Sequence, residues 1–125
     1  MPQRHEHLVR ALENEILAES TLGPGKGVCV DWAITMLFYA GLHYIDAYLT
    51  QSAGKPKNHQ QRDRIIETNG SLSPIWQDYR RLKDLSEQAR YQIAAYDESK
   101  MVLARQHLRN IKSHLRTKGL SEIAP

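Results

Sequence analysis

The sequence predicts an all-α protein built as an up-and-down bundle of four long helices plus one short helix. Apolar residues recur every three or four positions, as one face of a helix requires, and no segment alternates as a β-strand does. Capping residues and glycine–proline breakers separate the helical segments. With 125 residues, 41% of them hydrophobic, the chain has the size of a single domain over residues 1–125, and we expect residues 119–125 to be a frayed tail.

The first helix is predicted over residues 3–20, where Leu8, Leu12 and Ile16 recur at a spacing of four residues and would face the core. The glycine-rich run GPGKG at residues 23–27 ends this helix. An alternative role for the run is anion binding at the start of the next helix. Its spacing, however, is not that of a phosphate-binding P-loop, and no predicted strand precedes it.

The central helix is predicted over residues 28–49 and ends near residues 52–54. It is apolar on most of its circumference, so we expect it to be buried in the middle of the bundle. An apolar run of 22 residues has the length of a membrane span, but the aspartates and the histidine inside it make insertion costly, and we expect no membrane association. The polar residues of this helix fall on a single stripe that comprises Asp31, Thr35, Tyr39, His43 and Asp46.

Two further helices begin at clear capping signals. The short third helix is predicted to begin after the cap Asn58, with Gln61 as its capping-box partner, and to end at residues 69–70. Ser73 and Pro74 begin the fourth helix as a cap and a first-turn proline.

The fourth and fifth helices, separated by a turn near residues 96–97, each carry an apolar stripe that we expect to face the core. The stripe of the fourth helix comprises Ile75, Tyr79, Leu82, Ser86 and Ala89. The stripe of the fifth helix comprises Met101, Ala104, Leu108, Ile111 and Leu115.

The bulk composition limits the expected location and partners. A single cysteine, Cys29, excludes an intramolecular disulfide and suits a reducing cytoplasm. Residues 1–20 are charged throughout, which differs from a secretory signal. The net charge of +3 and the pI of about 9.1 are compatible with nucleic-acid contacts without requiring them.

The polar stripe of the central helix is the first candidate site. His43 and Asp46 lie three residues apart on one helix face, close enough to share a hydrogen bond or one ligand. We expect polar residues of the third and fourth helices to join them. The complete set is His43, Asp46, His59, Arg62, Arg90 and Tyr91.

Two interpretations of this set stay open at the level of the sequence. A buried charge must be paired, so an Asp46–Arg62 or Asp46–Arg90 ion pair would brace the bundle. Alternatively, the same side chains would line a ligand pocket. His43, Asp46 and His59 are of the types that bind metals, but they lack a recognised ligand spacing, and we expect neither metal nor cofactor.

The fifth helix holds the second candidate site, a stripe of basic residues. No acidic residue occurs between Glu98 and Glu122. Four cations fall within about 60° of one another on a helical projection, away from the apolar stripe. They are Arg105, Arg109, Lys112 and Arg116. Such a stripe is typical of phosphate contacts, and the alternative is a solvated face that complements the negative end of the helix dipole.

Residues 28–112 resemble the HEPN superfamily of small helical bundles in the order of their segments. The aromatic, alanine-rich second helix of that family is matched by DWAITMLFYAGLHYIDAYL, and its proline–histidine loop and short helix by KPKNHQQRDRII. Its arginine–tyrosine helix end and final helix are matched by YRRLKDLSEQARY and YDESKMVLARQHLRNI. The resemblance implies a helical bundle, often a homodimer, in a family that includes bacterial toxin and defence ribonucleases and non-catalytic nucleotide- or RNA-binding members.

Ribonucleases of this family carry an arginine followed four to six residues later by a histidine, and Arg109 and His114 in the string RNIKSH match that pattern. Five residues turn a helix by about 140°, so these two side chains would point apart. At the usual place of the motif, this chain has Arg90 with no histidine in the next six residues.

The resemblance therefore implies a non-catalytic HEPN-like bacterial module, a homodimer that binds a nucleotide, RNA or a partner protein such as an antitoxin in a toxin–antitoxin or defence system. The alternative is a metal-independent endoribonuclease, with His114 as general acid or base and Arg109 stabilising charge on the phosphate. Whether the protein is an enzyme stays open from the sequence.

Overall fold

The computed structural model describes residues 4–20, 30–52, 56–91 and 98–123, and within these ranges every regular element is a helix. The predicted fold class is thereby confirmed. The elements are α1 (Arg4–Ser20), α2 (Val30–Ser52), α3 (His59–Thr68), a 3₁₀ turn (Ser73–Ile75), α4 (Trp76–Tyr91) and α5 (Glu98–Thr117). Among the described helices, none has the length and hydropathy needed to cross a membrane. The predicted breaker at residues 23–27 and the predicted turn at residues 96–97 lie outside the described residues.

The central position of α2 follows from its apolar circumference. This helix packs against α1, α4 and α5, and Ile34, Phe38 and Ile45 are among its many buried side chains. At Gly41, a Cβ atom would lie 3.3 Å from the side chain of Leu82 in α4 and 3.6 Å from that of Ile111 in α5. The three helices therefore approach one another closely at a position where α2 has no side chain.

The start of α3 is the capping arrangement that its sequence predicts. Asn58 Oδ1 accepts a hydrogen bond from the Gln61 N–H at 2.8 Å, which satisfies a donor at the helix start. The Gln61 side chain accepts from the Lys57 N–H at 2.5 Å, one residue further back than a capping box requires. At the other end, the Asn69 N–H donates to Ile65 O at 2.8 Å.

The inner stripes predicted for α4 and α5 are confirmed, because all ten of their residues are buried. The aromatic ring of Tyr79 in α4 lies 5.8 Å from that of Phe38 in α2, measured between centroids. Ser86 is also buried, and its hydroxyl donates to Lys83 O at 2.9 Å, so its polar group is satisfied within α4.

The predicted inner face of α1 is confirmed at Leu8, which is partly buried against the core, and is wrong at Leu12 and Ile16. Leu12 and Ile16 are exposed, while α1 buries Ala11, Ala18 and His7. The small alanine side chains allow α1 to lie against α2, and the buried histidine has a polar partner there. A spacing of four residues thus identified the helix but not the side of it that packs.

The predicted fraying of residues 119–125 is also corrected, as far as residue 123. Gly119 adopts a φ of 110°, which reverses the chain after α5, and the Leu120 N–H donates to Leu115 O at 3.1 Å. Leu120 and Ile123 are then buried in the core. Arg4 holds this segment from α1 by an ion pair with Glu122 at 2.6 Å.

Candidate functional site

The first candidate site is a polar cluster between α2 and α3. Asp46 of α2 accepts two hydrogen bonds from Arg62 of α3, from Nε at 2.9 Å and from Nη2 at 3.0 Å. Burial acts to lower the pKa of Arg62, but the hydrogen bonds to Asp46 and the charge of its carboxylate outweigh that effect and raise the pKa. The predicted Asp46–Arg62 ion pair is therefore present, and it is bidentate. Arg62 also donates to Nδ1 of His59 at 3.2 Å.

A second pair joins α3 to α4 beside this one. Lys83 Nζ lies 2.5 Å from Asp63 Oδ2. Tyr79 Oη and Asp63 Oδ1 are buried and form no hydrogen bond within the described part of the chain. Burial, followed by the charge of Asp63, raises the pKa of Tyr79, so the phenol remains protonated. Sequence reasoning missed this pair, although Asp63 and Lys83 lie on helices that follow each other along the chain.

His43 does not bond to Asp46. Its Nδ1 lies 3.1 Å from Nδ1 of His7 in α1, so one ring donates and the other accepts. Burial is the main cause that lowers the pKa of His43, and the charges of His7, Arg10 and Arg62 lower it further against the opposing charge of Asp46. The predicted set is thus divided between a His7–His43 contact and an Asp46–Arg62–His59 network.

The side chains of Arg90 and Tyr91, together with that of Asp31, lie outside the described residues. Among the side chains that are described, no group of three or more histidine, cysteine, aspartate or glutamate residues is arranged to hold a metal ion. Asp46, Arg62 and His59 form an ion pair and hydrogen bonds with one another, as a structural brace requires. The fourth placed member, His43, contacts His7, which lies outside the predicted set.

The second candidate site is a groove between α1 and α5, which we call the basic groove. It has a volume of about 350 Å³, and all four cations of the predicted basic stripe line it. The acidic residues Glu15 and Glu19 of α1 face them across the groove. Four cations and two carboxylates leave a formal charge of +2 on its lining.

Two of the cations are neutralised by α1. Arg105 donates to Glu19 through Nε at 2.8 Å and through Nη2 at 3.1 Å. Lys112 Nζ lies 2.9 Å from Glu15 Oε1 and 5.7 Å from the ring centroid of Tyr44. The Tyr44 hydroxyl also donates to Glu15, and burial, with this hydrogen bond, raises the pKa of Tyr44. Glu15 thus ties α1 to both α2 and α5.

The other two cations remain available. Arg109 and Arg116 are exposed, and neither forms an ion pair within the described residues. Arg109 makes a long contact of 3.4 Å with the side-chain oxygen of Gln106. Because both side chains are open to solvent, an incoming anion can bind them without displacing a carboxylate.

Arg109 and His114 do not converge within one chain. Arg109 lines the basic groove beside α1, whereas His114 Nε2 donates to Ser71 O at 2.6 Å in the turn between α3 and α4. This divergence agrees with the rotation of about 140° expected over five helical residues. Sequence reasoning missed the bracing role of His114, because its partner is a backbone carbonyl that no side-chain pattern marks.

The acidic wall of the basic groove was also missed. Glu15 and Glu19 lie four residues apart on one face of α1. Their partners Lys112 and Arg105 lie seven residues apart on one face of α5. Comparison of the chain with family models, with curated proteins and with solved structures finds no match.

Proposed function

We propose that this protein is a non-catalytic RNA-binding module whose basic groove, between α1 and α5, holds phosphates of the RNA backbone. The observation that carries the proposal is the exposed pair Arg109 and Arg116, which lies in a groove whose other two cations are already paired. Unpaired arginines on one helix face give the electrostatic attraction on which phosphate binding depends.

The spacing of the two arginines favours a polymer over a single small anion. Arg109 and Arg116 are seven residues apart, so they lie about 10 Å apart along the axis of α5. A nucleic-acid strand carries one phosphate for about every 3.4 Å of helix axis in a duplex, and it can therefore offer a separate phosphate to each guanidinium. The HEPN resemblance of residues 28–112 favours RNA as the polymer, in a bacterial toxin–antitoxin or defence system.

We propose no catalytic role because His114 lies away from the basic groove. A general acid or base must lie within hydrogen-bond reach of the proton that it moves. His114 contacts Ser71 O, and no histidine is among the described residues that line the basic groove. The endoribonuclease alternative requires Arg109 and His114 to meet at one phosphate, for example across two copies of the chain.

Salt-dependent binding to a labelled single-stranded RNA, measured by fluorescence anisotropy, tests the proposal. Each phosphate contact in a single strand contributes a slope of about −0.7 to the dependence of log K on log salt. For the double variant Arg109→Ala/Arg116→Ala we expect a slope shallower by about 1.4 and markedly weaker binding. The double variant Arg64→Ala/Arg80→Ala, which removes one exposed arginine from α3 and one from α4, is the matched control.

Binding by Arg109→Ala/Arg116→Ala that equals that of the wild type would contradict the proposal, as would an equal loss of binding in the control Arg64→Ala/Arg80→Ala. A cleavage assay on total RNA and tRNA separates the enzymatic alternative. Metal-independent cleavage by the wild type that Arg109→Ala and His114→Ala both abolish would replace the binding module with an endoribonuclease.

A further inference from the structure

Ser113 of α5 brings an uncharged polar group to the basic groove. Of the described residues that line the groove, it is the only one that is polar without carrying a charge. Its side chain is exposed, and its hydroxyl forms no hydrogen bond with another described residue. A hydroxyl both donates and accepts hydrogen bonds, so Ser113 offers a ligand a contact that an arginine does not.

The carboxylates of the basic groove are already occupied. The two oxygens of Glu19 accept from Arg105, at 2.8 and 3.1 Å. Those of Glu15 accept from Lys112 and from the Tyr44 hydroxyl. The two unpaired arginines are donors only, and an anion satisfies them. A neutral hydroxyl of the ligand therefore has the serine of α5 as its available partner among the described lining residues.

Ser113 lies between the two unpaired arginines on one face of α5. It follows Arg109 by four residues and precedes Arg116 by three, which are the spacings of neighbours on a helix surface. Along the helix axis, these separations are about 6 Å and about 4.5 Å. In a strand of nucleic acid, a sugar lies between each phosphate and the next. The order arginine, serine, arginine along α5 thus matches the order phosphate, sugar, phosphate along the strand.

We infer that Ser113 is a specificity-determining residue of the basic groove, where its hydroxyl bonds the 2′-OH of a ribose whose neighbouring phosphates bind Arg109 and Arg116. The 2′-OH donates and accepts hydrogen bonds, and it distinguishes RNA from DNA. Phosphates are common to both polymers, so contacts to them give affinity without selecting the sugar. This role of Ser113 rests on the RNA binding proposed for the same groove.

The size of the expected preference follows from the kind of contact. A neutral hydrogen bond to a ligand replaces hydrogen bonds to water, and its net gain corresponds to about three- to tenfold in affinity. We therefore expect RNA to bind about three- to tenfold more tightly than DNA of the same sequence. Because Ser113 carries no charge, it should not contribute to the salt dependence of binding.

Fluorescence anisotropy with labelled single strands of one sequence, made as RNA, as DNA and as 2′-fluoro RNA, tests this role. The 2′-fluoro strand keeps an RNA-like sugar conformation but has no 2′-OH, so it separates the hydroxyl contact from the shape of the strand. We expect the wild type to bind RNA about three- to tenfold more tightly than either other strand. Ser113→Ala should lose most of this preference, with the salt slope and the affinity for the 2′-fluoro strand unchanged.

Two further variants serve as controls. Ser113→Thr keeps a hydroxyl at the same position and should retain the preference for RNA. Ser121→Ala removes an exposed serine that follows α5 and is not among the described lining residues of the basic groove, so it should also retain the preference. Circular dichroism verifies the helical fold of each variant, and alanine favours a helix at position 113.

Equal binding of RNA and 2′-fluoro RNA by the wild type would overturn the role of Ser113, and so would a full preference for RNA in Ser113→Ala. A loss in Ser113→Ala that is equal for all three strands would overturn it too, because the hydroxyl would then contact a phosphate. In each case, a shallower salt slope for Arg109→Ala/Arg116→Ala would leave the proposed function intact. If that double variant binds RNA as the wild type does, the proposed function and the role of Ser113 both fail.

Discussion

The polar cluster and the basic groove both set arginines beside carboxylates, but they differ in what surrounds the charges. In the cluster, the Asp46 and Arg62 side chains are only 9% and 12% exposed, and each is the other's ion-pair partner. In the basic groove, Arg105 and Glu19 are 34% and 49% exposed, and two further arginines have no carboxylate partner within the described residues. The buried pair therefore has no charge to spare for a ligand, whereas the exposed arginines of the basic groove leave charge that an incoming anion can bind.

Removal of one partner from the buried pair should have the largest effect. Arg62→Ala leaves the Asp46 carboxylate buried without its cation, and we expect the free energy of unfolding to fall by about 3 kcal/mol. Arg105→Ala, the corresponding change in the basic groove, should cost at most about 0.5 kcal/mol because its ion pair is solvated. Urea denaturation followed by circular dichroism measures both values.

A double variant sharpens this first prediction. Replacement of Asp46 and Arg62 together by leucine removes both charges, so its cost should be smaller than that of Arg62→Ala. If Arg62→Ala and Arg105→Ala destabilised the protein equally, the distinction between a brace and a binding surface would fail.

A change in the acidic wall of the basic groove should have an intermediate effect, and on binding instead of stability. Glu19→Gln frees Arg105 for a phosphate, so we expect RNA binding roughly threefold tighter at low salt and a salt slope steeper by about 0.7. The free energy of unfolding should change by less than about 0.5 kcal/mol. Anisotropy titrations at several salt concentrations measure the slope.

Glu67→Gln is the matched control for this change, because Glu67 is an exposed acid on α3 and its loss alters the net charge equally. A gain in affinity of the same size from Glu67→Gln would show that total charge, and not the groove, governs binding. RNA binding would then no longer distinguish the basic groove from the polar cluster.

Local signals in the sequence predicted most of the fold. The Asn58 cap with Gln61 and the inner stripes of α4 and α5 need only near neighbours along the chain, and the structure contains all of them. The turn after α5 had a local signal too, a glycine at residue 119 followed by an apolar residue, but it was interpreted as the start of a frayed end. The packed face of α1 has no local signal, because it depends on which neighbouring helix lies against it.

The same distinction between near and distant neighbours along the chain applies to the candidate sites. The Asp46–Arg62 pair was predictable because both residues stand out as charges on core-facing stripes only 16 positions apart. The Arg105–Glu19 pair joins residues separated by 86 positions, and its formation depends on how α1 and α5 come together. A single sequence shows which residues share a helix face, but it does not show which helix faces pack against each other across the bundle.

The smallest expected effect is a difference in pH response between the two regions. The pKa of His43 lies below its ordinary value of 6.5, mainly because burial disfavours the charged ring. As the pH falls below about 6.5, the unfolded chain takes up this proton before the folded chain does, so the free energy of unfolding decreases. His43→Gln, which keeps a polar group beside His7, should make the decrease shallower.

RNA affinity should respond differently over the same pH range. The basic groove has no histidine among its described lining residues, so we expect no histidine-linked change in RNA affinity between about pH 5.5 and 7.5. Urea denaturation and anisotropy titrations across this range should therefore give falling stability towards acid together with constant RNA affinity. A parallel change in both quantities would mean that the histidine pair and the basic groove are coupled through α1, which contributes His7 to one and Glu15 to the other.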